Sequence, residues 1–431
     1  MTVSRRSFVA STTAAAAGLA LPRRGFGIGR PDADPIRIGV IGCGGRGTGA
    51  VRDAIAASDN VTVTALGDLF PDKLAKAREQ FARIAAEDAR FAAGYQVTDE
   101  RCFTGFDAVD RVLATDTELV ILATPPAFRP SHLAAAIGAN KHVFMEKPVA
   151  VDVAGALSVI DSSDRARTAG LGIVAGTQRR HDPRYLETIR RIHDGAIGGV
   201  VTGQVYWNQG GLWMYPREAG WSDMEWQLRN WLYFTWASGD HIVEQHVHNI
   251  DVANWVFGEL PVRAAATGGR QVRTDPAYGH IFDHFAVEYE LADGRKWHAT
   301  ARQQDGTASR VGEQFQGTAG TSNAYNRIEG ATVWRHPVLE GVNPYVLEHR
   351  NLVASIRAGA PLNEGRRIAE STLVAIMGRE AAYTGQVVTW EELLASGQSI
   401  TPAEFRFGPL EVPPVPMPGQ TQLDRTFNEG W

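Results

Sequence analysis

Residues 36–47 constrain the fold of this chain more than any other segment, because a strand-like run passes directly into a glycine-rich turn. The run Ile36-Arg37-Ile38-Gly39-Val40-Ile41 is rich in β-branched residues and has the length of a buried strand, and helical spacing begins at Thr48. The turn between them matches G-x-G-x-x-G. It reads Gly42-Cys43-Gly44-Gly45-Arg46-Gly47, and Gly42, Gly44, Gly45, Arg46 and Gly47 are the candidate cofactor-binding residues. In this context the pattern predicts a loop that binds a dinucleotide pyrophosphate at the helix N-terminus, where free N–H groups favour an anion.

A single carboxylate indicates which dinucleotide the loop binds. Asp68 follows the second predicted strand, Val61–Leu66, and lies about 20 residues beyond the glycine loop. A carboxylate at this position accepts a hydrogen bond from a ribose 2'-hydroxyl and repels a 2'-phosphate. We therefore predict NAD as the cofactor. NADP stays an alternative, because Arg46 offers a phosphate a cationic partner.

The order of predicted elements divides the chain into two domains. Further strands are predicted over Leu119–Ala123, His142–Met145 and Leu171–Gly176, with helices over about 71–90, 130–139 and 151–168 between the strands. This alternation predicts a Rossmann domain, an α/β fold with a doubly wound parallel sheet, over residues 34–178.

After residue 180 the pattern changes to a helix over about 183–194 followed by several strands, including a hairpin over 287–295 with Asp293-Gly294 as its turn. It predicts an α+β substrate-binding domain over residues 179–400, with a large, mostly antiparallel, open-faced sheet and closing helices over about 348–358 and 367–383. Repeated prolines mark residues 401–431 as an extended arm over the body or a neighbouring subunit.

Composition narrows the class of partner. The chain has 431 residues, of which 44% are hydrophobic and 21% charged, as is typical of a folded globular protein. The net charge of -5 and the lack of any basic block argue against nucleic-acid binding and favour a small molecule. Cys43 and Cys102 are the two cysteines, and we expect free thiols because a disulfide at Cys43 would distort the glycine turn.

Residues 1–33 have the pattern of a twin-arginine signal and linker. Arg5 and Arg6 precede Phe8 and a weakly apolar run, Ala14–Leu21, which is too short to span a bilayer. We therefore expect export of the folded protein to the periplasm, with no integral membrane segment after the signal is removed.

A second motif makes a family resemblance specific. Glu146-Lys147-Pro148 directly follows the strand His142–Met145, and related segments occur at residues 176–183 and 248–251. Over about residues 35–400 the chain resembles the glucose-fructose oxidoreductase, inositol dehydrogenase and rhizopine-catabolism (Gfo/Idh/MocA) family. The resemblance implies that Lys147 reaches the substrate hydroxyl and the nicotinamide ribose and that the chain forms homo-oligomers through the C-terminal sheet. It also marks three further cofactor-binding residues, Thr124, Pro125 and Glu146.

Glu244 and His248 are the candidate proton-handling pair. If their segment is a helix, the i, i+4 spacing places both on one face, where a carboxylate can orient an imidazole. Family members commonly have Asp where Glu244 stands. We assign His248 as general base, Lys147 as its hydrogen-bonding partner, and Glu244 as an orienting group or substrate ligand. Neighbouring histidines leave a metal site as an alternative, but His246 and His248 would point to different sides of a helix, so we expect no metal.

An aromatic cluster and a few polar residues are the candidates for contact with the substrate. Tryptophans cluster between Tyr206 and Trp236, which indicates either a carbohydrate site or ordinary core. Trp231, Arg180 and Asp251 are candidate substrate ligands. The family often has a His four residues after the proline of Thr124-Pro125, whereas here His132 lies further along, so a nicotinamide role for His132 is in doubt.

Three functions fit these residues. The first is an oxidoreductase that transfers hydride between a secondary alcohol of a sugar, glycoside or cyclitol and a tightly bound nicotinamide cofactor. The second is a redox-neutral glycosidase that oxidises one ring carbon, eliminates the glycosidic bond and returns the hydride. The third is a non-catalytic sugar-binding relative, which the presence of Lys147, Glu244 and His248 makes the weakest of the three.

Overall fold

The computed structural model describes residues 34–423, and its first domain is built on a six-stranded sheet in which every pairing is parallel. The strands are β1 Ile36–Ile41, β2 Val61–Asp68, β3 Cys102–Thr104, β4 Leu119–Leu122, β5 His142–Met145 and β6 Ile173–Ala175. The helices are α1 Gly45–Ala57, α2 Pro71–Glu87, α3 Ala89–Gly94, α4 Ala108–Leu113, α5 Arg129–Gly138 and α6 Val153–Ala169. The strand order β3-β2-β1-β4-β5-β6 confirms the predicted Rossmann domain.

Both faces of this sheet are buried, which explains why its strands are almost continuously apolar. Ile38 and Val40 of β1 belong to the core beneath α1 and α2, whereas Ile41 belongs to the core beneath α4, α5 and α6. Successive side chains of a strand point to opposite faces, so one apolar run supplies two cores.

The sequence missed some short elements of the first domain. β3, α3 and α4 were not predicted, and the helix expected over about 71–90 ends at Glu87. Asp88 breaks it, because its carboxylate accepts a hydrogen bond from the N–H of Phe91 at 3.0 Å and so begins α3. Cys43 and Cys102 are free thiols, as expected.

The second domain contains a nine-stranded sheet in the order β14-β13-β12-β11-β7-β10-β9-β8-β15. Its strands are β7 Val200–Gln209, β8 Arg263–Gly269, β9 His284–Glu290, β10 Lys296–Gln303, β11 Arg310–Gly317, β12 Gly320–Ser322, β13 Arg327–Gly330, β14 Trp334–Arg335 and β15 Val388–Thr389. Its helices are α7 Pro183–His193, α8 Asp223–Arg229, α9 Thr235–Ser238, α10 His241–Glu244, α11 Val247–Phe257, α12 Pro344–Arg357, α13 Gly365–Thr384 and α14 Trp390–Ser396. Neighbouring strands of this sheet pair antiparallel, except that β7 and β10 pair parallel.

One face of the second sheet is covered and the other is open, as predicted. Along β10, Trp297 and Ala299 are buried beneath the helical layer, whereas Lys296 and His298 are exposed on the opposite face. α13 packs against β8 and β9, and α11 packs against β7. The predicted hairpin joins β9 to β10, with Gly294 in the left-handed region at φ +88.

α12 links the two domains. It packs against α1, and its Leu352 and Val353 enter the same core as Ile38 and Val40 of β1. This packing brings the N-terminal end of α12 close to the glycine loop. The second domain therefore contributes directly to the surroundings of the predicted nucleotide site.

The described part of the C-terminal arm, Thr401–Leu423, contains neither helix nor strand and lies over the body of the protein. The ring of Phe405 lies 4.5 Å from that of Phe128, and the ring of Phe407 lies 5.0 Å from that of Phe106. No helix within residues 34–423 is long and apolar enough to cross a membrane. The predicted twin-arginine signal lies outside the described residues.

Candidate active site between the two domains

A cleft of about 620 Å³ lies between the glycine loop and the second domain. Most of the predicted site residues line it. These are Gly42, Gly44, Gly45, Arg46, Asp68, Thr124, Pro125, Glu146, Lys147, Trp231, Glu244 and His248. Gly47, Arg180 and Asp251 do not. The cofactor residues and the proton-handling residues thus share one cavity.

The glycine loop has the geometry of a phosphate cradle. A side chain on Gly44 or Gly45 would meet no atom within 4 Å, so both positions open onto the cleft beside the N-terminus of α1. Gly42 has φ +98, and a Cβ on Gly47 would lie 1.8 Å from the carbonyl oxygen of Gly42. Gly44 and Gly45 therefore leave space for a ligand. Gly42 allows the tight turn, and Gly47 allows the close packing of α1. These residues fit a dinucleotide.

Asp68 holds the loop as well as facing the cleft. Its Oδ2 accepts a hydrogen bond from the N–H of Cys43 at 2.6 Å, and its Oδ1 accepts one from the N–H of Phe70 at 2.8 Å. Burial raises the pKa of Asp68, although both hydrogen bonds act in the opposite direction. Each carboxylate oxygen retains a lone pair for a ribose hydroxyl. The sequence did not indicate this second, structural role.

Lys147 and Glu244 form an ion pair across the domain boundary. The Nζ of Lys147 donates to Oε1 of Glu244 at 2.8 Å and to the main-chain oxygen of the same residue at 2.5 Å. Their side chains are 13% and 12% exposed, so the pair is largely shielded from water but reaches the cleft. An ammonium has three donors, and the third remains for a ligand oxygen.

His248 lies in the same wall, stacked on an aromatic ring. Its imidazole is 5.7 Å from the ring of Trp207 with an interplanar angle of 18°, and its Nδ1 is buried without a partner in the described part of the chain. Burial, followed by the charge of Lys147, lowers the pKa of His248 well below its ordinary value. The imidazole is therefore neutral at pH 7 and able to accept a proton.

Glu244 and His248 do not belong to one continuous helix, which corrects the condition on which their pairing was predicted. α10 ends at Glu244 and α11 begins at Val247, with Gln245 and His246 between them. Glu244 therefore directs its carboxylate to Lys147, and Trp207 orients His248. Both residues still line the cleft.

Glu146 pairs with a residue of the glycine loop. Arg46 donates to its Oε1 through Nε at 2.9 Å and also through Nη2. The guanidinium of Arg46 lies 4.9 Å from the ring centroid of Tyr345, a residue in the first turn of α12 that lines the cleft. Glu146 thus positions Arg46 beside the expected pyrophosphate site, and a direct contact of Glu146 with the cofactor stays a prediction.

Arg180 and Asp251 form part of a buried ion-pair network away from the cleft. Arg180 donates to Asp251 at 2.8 Å and 3.0 Å, and Asp251 also pairs with Arg367 at 3.2 Å. Ser371 donates to the same carboxylate at 2.9 Å. These contacts give Arg180 and Asp251 a structural role, because they tie the 3-10 turn Gln178–His181 to α13. They do not support the substrate role predicted for the two residues.

The aromatic cluster divides between core and cleft. Trp236, Tyr233 and Phe234 are buried in a core with α8 and the C-terminal arm. Trp207, Trp213, Tyr215 and Trp231 line the cleft. The core alternative therefore holds for the first group, whereas a carbohydrate-binding role for the second group, which lines the cleft, stays a prediction.

Arg129 is a cleft residue that the sequence did not mark as functional. It stands four residues after Pro125, where family members often have His, and this departure was the available signal. His132 lies in the cleft too, with Nδ1 3.3 Å from Oγ1 of Thr124. Burial, followed by the charge of Arg129, lowers the pKa of His132 to about 4. Within residues 34–423, no group of three or more His, Cys, Asp or Glu side chains is arranged to hold a metal ion.

Two family models match the chain. Residues 36–170 match the GFO/IDH/MocA oxidoreductase family with its NAD-binding Rossmann fold, and residues 185–322 match the GFO/IDH/MocA C-terminal domain. The first domain is therefore an NAD-binding Rossmann domain, as the glycine loop predicted.

The chain is also similar to individual curated proteins. It is 28% identical over 185 residues to 2,7-anhydro-N-acetylneuraminate hydratase of Mediterraneibacter gnavus, covering 42% of this chain and 44% of the relative. It is 25% identical over 229 residues to inositol 2-dehydrogenase/D-chiro-inositol 3-dehydrogenase of Lactiplantibacillus plantarum, covering 53% and 54%. The chain thus spans about half the length of these curated relatives.

Solved structures show the same fold. Scyllo-inositol dehydrogenase from Lactobacillus casei, solved with bound NAD(H) and scyllo-inositol, matches with a TM-score of 0.62 at 19% identity, covering 83% of this chain and 99% of that one.

Proposed function

Because the chain belongs to the Gfo/Idh/MocA family of oxidoreductases, we propose that it transfers hydride between a secondary alcohol of a sugar, glycoside or cyclitol and NAD. One observation carries the proposal: Lys147, Glu244 and His248 line the same cleft as the glycine loop. NAD, when bound, supplies the hydride acceptor at nicotinamide C4. The chain's own residues must then bind the alcohol and take its proton.

We assign the proton to His248. The imidazole is neutral, buried and held against Trp207, so it can accept the hydroxyl proton of a substrate carbinol as hydride leaves its carbon. Lys147 has one donor left after its two bonds to Glu244, and that donor fits the same substrate oxygen. Glu244 thereby positions Lys147. A relative named inositol 2-dehydrogenase supports a cyclic polyol as substrate.

A redox-neutral reaction is the second candidate. Oxidation of one ring carbon to a ketone by NAD would acidify the neighbouring C–H. Loss of that proton and of the oxygen substituent on the next carbon would give a conjugated enone and release the substituent, protonated, as an alcohol. Addition of water to the enone and return of the hydride to the ketone would complete a hydrolysis without net redox change. The similarity to a 2,7-anhydro-N-acetylneuraminate hydratase favours this candidate, since that name describes an anhydro-sugar substrate. The same three residues serve both reactions, and the two reactions differ in their products.

Product analysis separates the two candidates. We expect mass spectrometry, after incubation of the pure protein with a panel of sugars, glycosides and cyclitols, to find either a ketosugar with reduced cofactor or a cleaved sugar without net redox change. Absence of any conversion across the panel, by a protein that carries NAD, would favour the non-catalytic alternative and contradict the proposal.

We further propose that the protein is exported by the twin-arginine route and keeps its nucleotide. A free cofactor would dilute away outside the cytoplasm, so catalysis there requires the same NAD molecule to be reduced and reoxidised in place. The contacts of the C-terminal arm support retention, because Phe407 stacks on Phe70 at 6.0 Å and lies 5.0 Å from Phe106, and both partners line the cleft. Arg229 also bridges to Asp72 at 2.9 Å from the second domain.

Retention is tested by extensive gel filtration without added cofactor, followed by denaturation and quantification of the released nucleotide. We expect near-stoichiometric NAD in the parent and less in Phe407→Ala. The control is Phe257→Ala, which removes a ring at the C-terminal end of α11 that packs against Phe315 and does not line the cleft. An empty parent whose activity depends on added NAD would contradict retention and leave an ordinary dissociable dehydrogenase.

A further inference from the structure

Arg129 is a buried cation on the cleft wall with little bonding to the protein. Only 3% of its surface is exposed, although it lines the cleft. Within residues 34–423 its guanidinium makes one hydrogen bond, from Nη1 to the main-chain oxygen of Pro148 at 2.8 Å, and its buried Nε has no partner. A guanidinium carries five N–H donors. Most of them are therefore not used by the described part of the protein.

The carboxylates that face Arg129 are committed to other cations. Glu146 and Glu244 are the acidic groups close enough to affect its charge. Glu146 is bound by Arg46 of the glycine loop, and Glu244 is bound by Lys147. This end of the cleft therefore holds three cations and two carboxylates, and Arg129 is the cation without a counter-charge among the described residues.

The remaining neighbours do not compensate for this charge. His132 and His248 have pKa values lowered by burial, so neither contributes charge at pH 7. Burial also lowers the pKa of Arg129, to about 10, which still leaves the guanidinium protonated. A buried, unpaired cation is costly to a folded protein unless a partner arrives with the ligand.

Three ligand groups are possible partners. The pyrophosphate is accounted for by the glycine loop, the N-terminus of α1 and Arg46. The nicotinamide carboxamide is neutral and leaves the excess charge in place. A substrate anion is the remaining partner, and the bond from Arg129 to Pro148 holds the guanidinium next to the Lys147 segment, at the reacting end of the cleft.

We propose that Arg129 binds a carboxylate of the substrate, so that the substrate is a sugar acid rather than a neutral sugar or cyclitol. This inference rests on the proposed function and narrows its substrate class. The planar fork of a guanidinium matches the two oxygens of a carboxylate, and the bond is strong where water is excluded. One unpaired positive charge also matches a singly charged carboxylate better than a doubly charged phosphate.

The first test uses the parent protein with its nucleotide bound. Calorimetric titration compares glucuronate and galacturonate with glucose and galactose, with the methyl esters of both acids, and with glucose 6-phosphate. We expect at least one acid to bind about 10- to 100-fold more tightly than its neutral partner and its ester, the range for a hydrogen-bonded charge. Equal affinity for acid and ester, no binding of any acid, or tighter binding of the phosphate would overturn the proposal.

The second test replaces the arginine. R129M should lose about 10- to 100-fold in affinity for the acid and change affinity for neutral sugars little, whereas R129K should keep part of the preference. R165Q, an exposed position on α6, is the control and should match the parent. If R129M loses the same affinity for the acid and for the neutral sugar, Arg129 only supports the Pro148 segment, and the proposal is overturned. If R129M does not fold, the acid-versus-ester comparison in the parent decides.

Binding and turnover together separate this inference from the proposed function. A parent that binds the acid but transfers no hydride contradicts the oxidoreductase proposal and supports the anion site. A parent that oxidises neutral sugars as well as their acids supports the oxidoreductase and overturns the anion site.

Discussion

Replacement of Asp68 tests how the cofactor is selected, and the structure separates two consequences. The first concerns stability. In Asp68→Ala the N–H groups of Cys43 and Phe70 lose acceptors that lie at 2.6 Å and 2.8 Å. Hydrogen bonds to a charged group contribute about 1.5–3 kcal/mol each, so we expect the free energy of unfolding to fall by about 3 kcal/mol, the lower end of the sum, because water can reach the cleft wall.

The second consequence concerns the choice between NAD and NADP. Two unit charges about 4 Å apart repel by about 4 kcal/mol at an effective dielectric constant near 20. Because salt and rearrangement reduce this value, we expect loss of the Asp68 carboxylate to narrow the preference for NAD by at least about 10-fold. Asp68→Asn keeps one acceptor oxygen, so it should lose the same preference with a smaller loss of stability.

The assay combines thermal unfolding with titration of nucleotide-free protein by NAD and by NADP. The two variants provide the control for each other, since they share the loss of charge and differ in the hydrogen bonds that remain. If both variants keep the parent's ratio of NAD to NADP affinity, Asp68 does not lie at the ribose and the assignment is wrong.

Three further variants test the chemistry and the export. Lys147→Met should abolish turnover and leave nucleotide content near that of the parent; activity within about threefold of the parent in a steady-state assay would refute its role. His248→Ala should lower kcat about 100-fold or more and remove the acidic limb of the pH–rate profile. In the parent this limb should lie below pH ~6.5, because burial lowers the pKa of His248 and the imidazole is protonated only at lower pH. A limb that persists in the variant would indicate another base. The double variant Arg5→Lys, Arg6→Lys should stay in the cytoplasm when cells are fractionated. Unchanged recovery of this variant from the periplasm would show that the signal was misidentified.

The parts of the site that depend on local sequence could be predicted. The glycine loop, β1 and α1 are contiguous, so spacing alone identifies them, and Asp68 follows from the end of the next strand. The alternation of strands and helices was sufficient for the parallel sheet. In the second domain the strands from β11 to β15 were missed. β12 to β15 are only two to four residues long and carry little periodicity, and the eight residues of β11 are mostly polar residues and glycines.

The parts that depend on tertiary contacts could not be predicted. The i, i+4 spacing of Glu244 and His248 is compatible with one helix, and only the bond from Lys147, 97 residues earlier, shows where the carboxylate points. The hydrogen bonds of Asp68 to the loop and the single bond of Arg129 to Pro148 are likewise products of the folded chain. The residue types at the cleft follow from the sequence, whereas their pairing follows only from the folded chain.

The central claim, that hydride passes between a substrate carbinol and NAD in this cleft, is tested most directly by isotope transfer. The purified protein, with its own nucleotide, is incubated with substrates deuterated at one carbinol carbon at a time, and nucleotide and sugar are then analysed by mass spectrometry. We predict that one labelled position transfers deuterium to the nicotinamide and that the product is a ketosugar oxidised at that carbon. Lys147→Met should abolish this transfer. Substrate conversion without deuterium in the nicotinamide at any stage of a single turnover, whichever carbon carries the label, would contradict the claim.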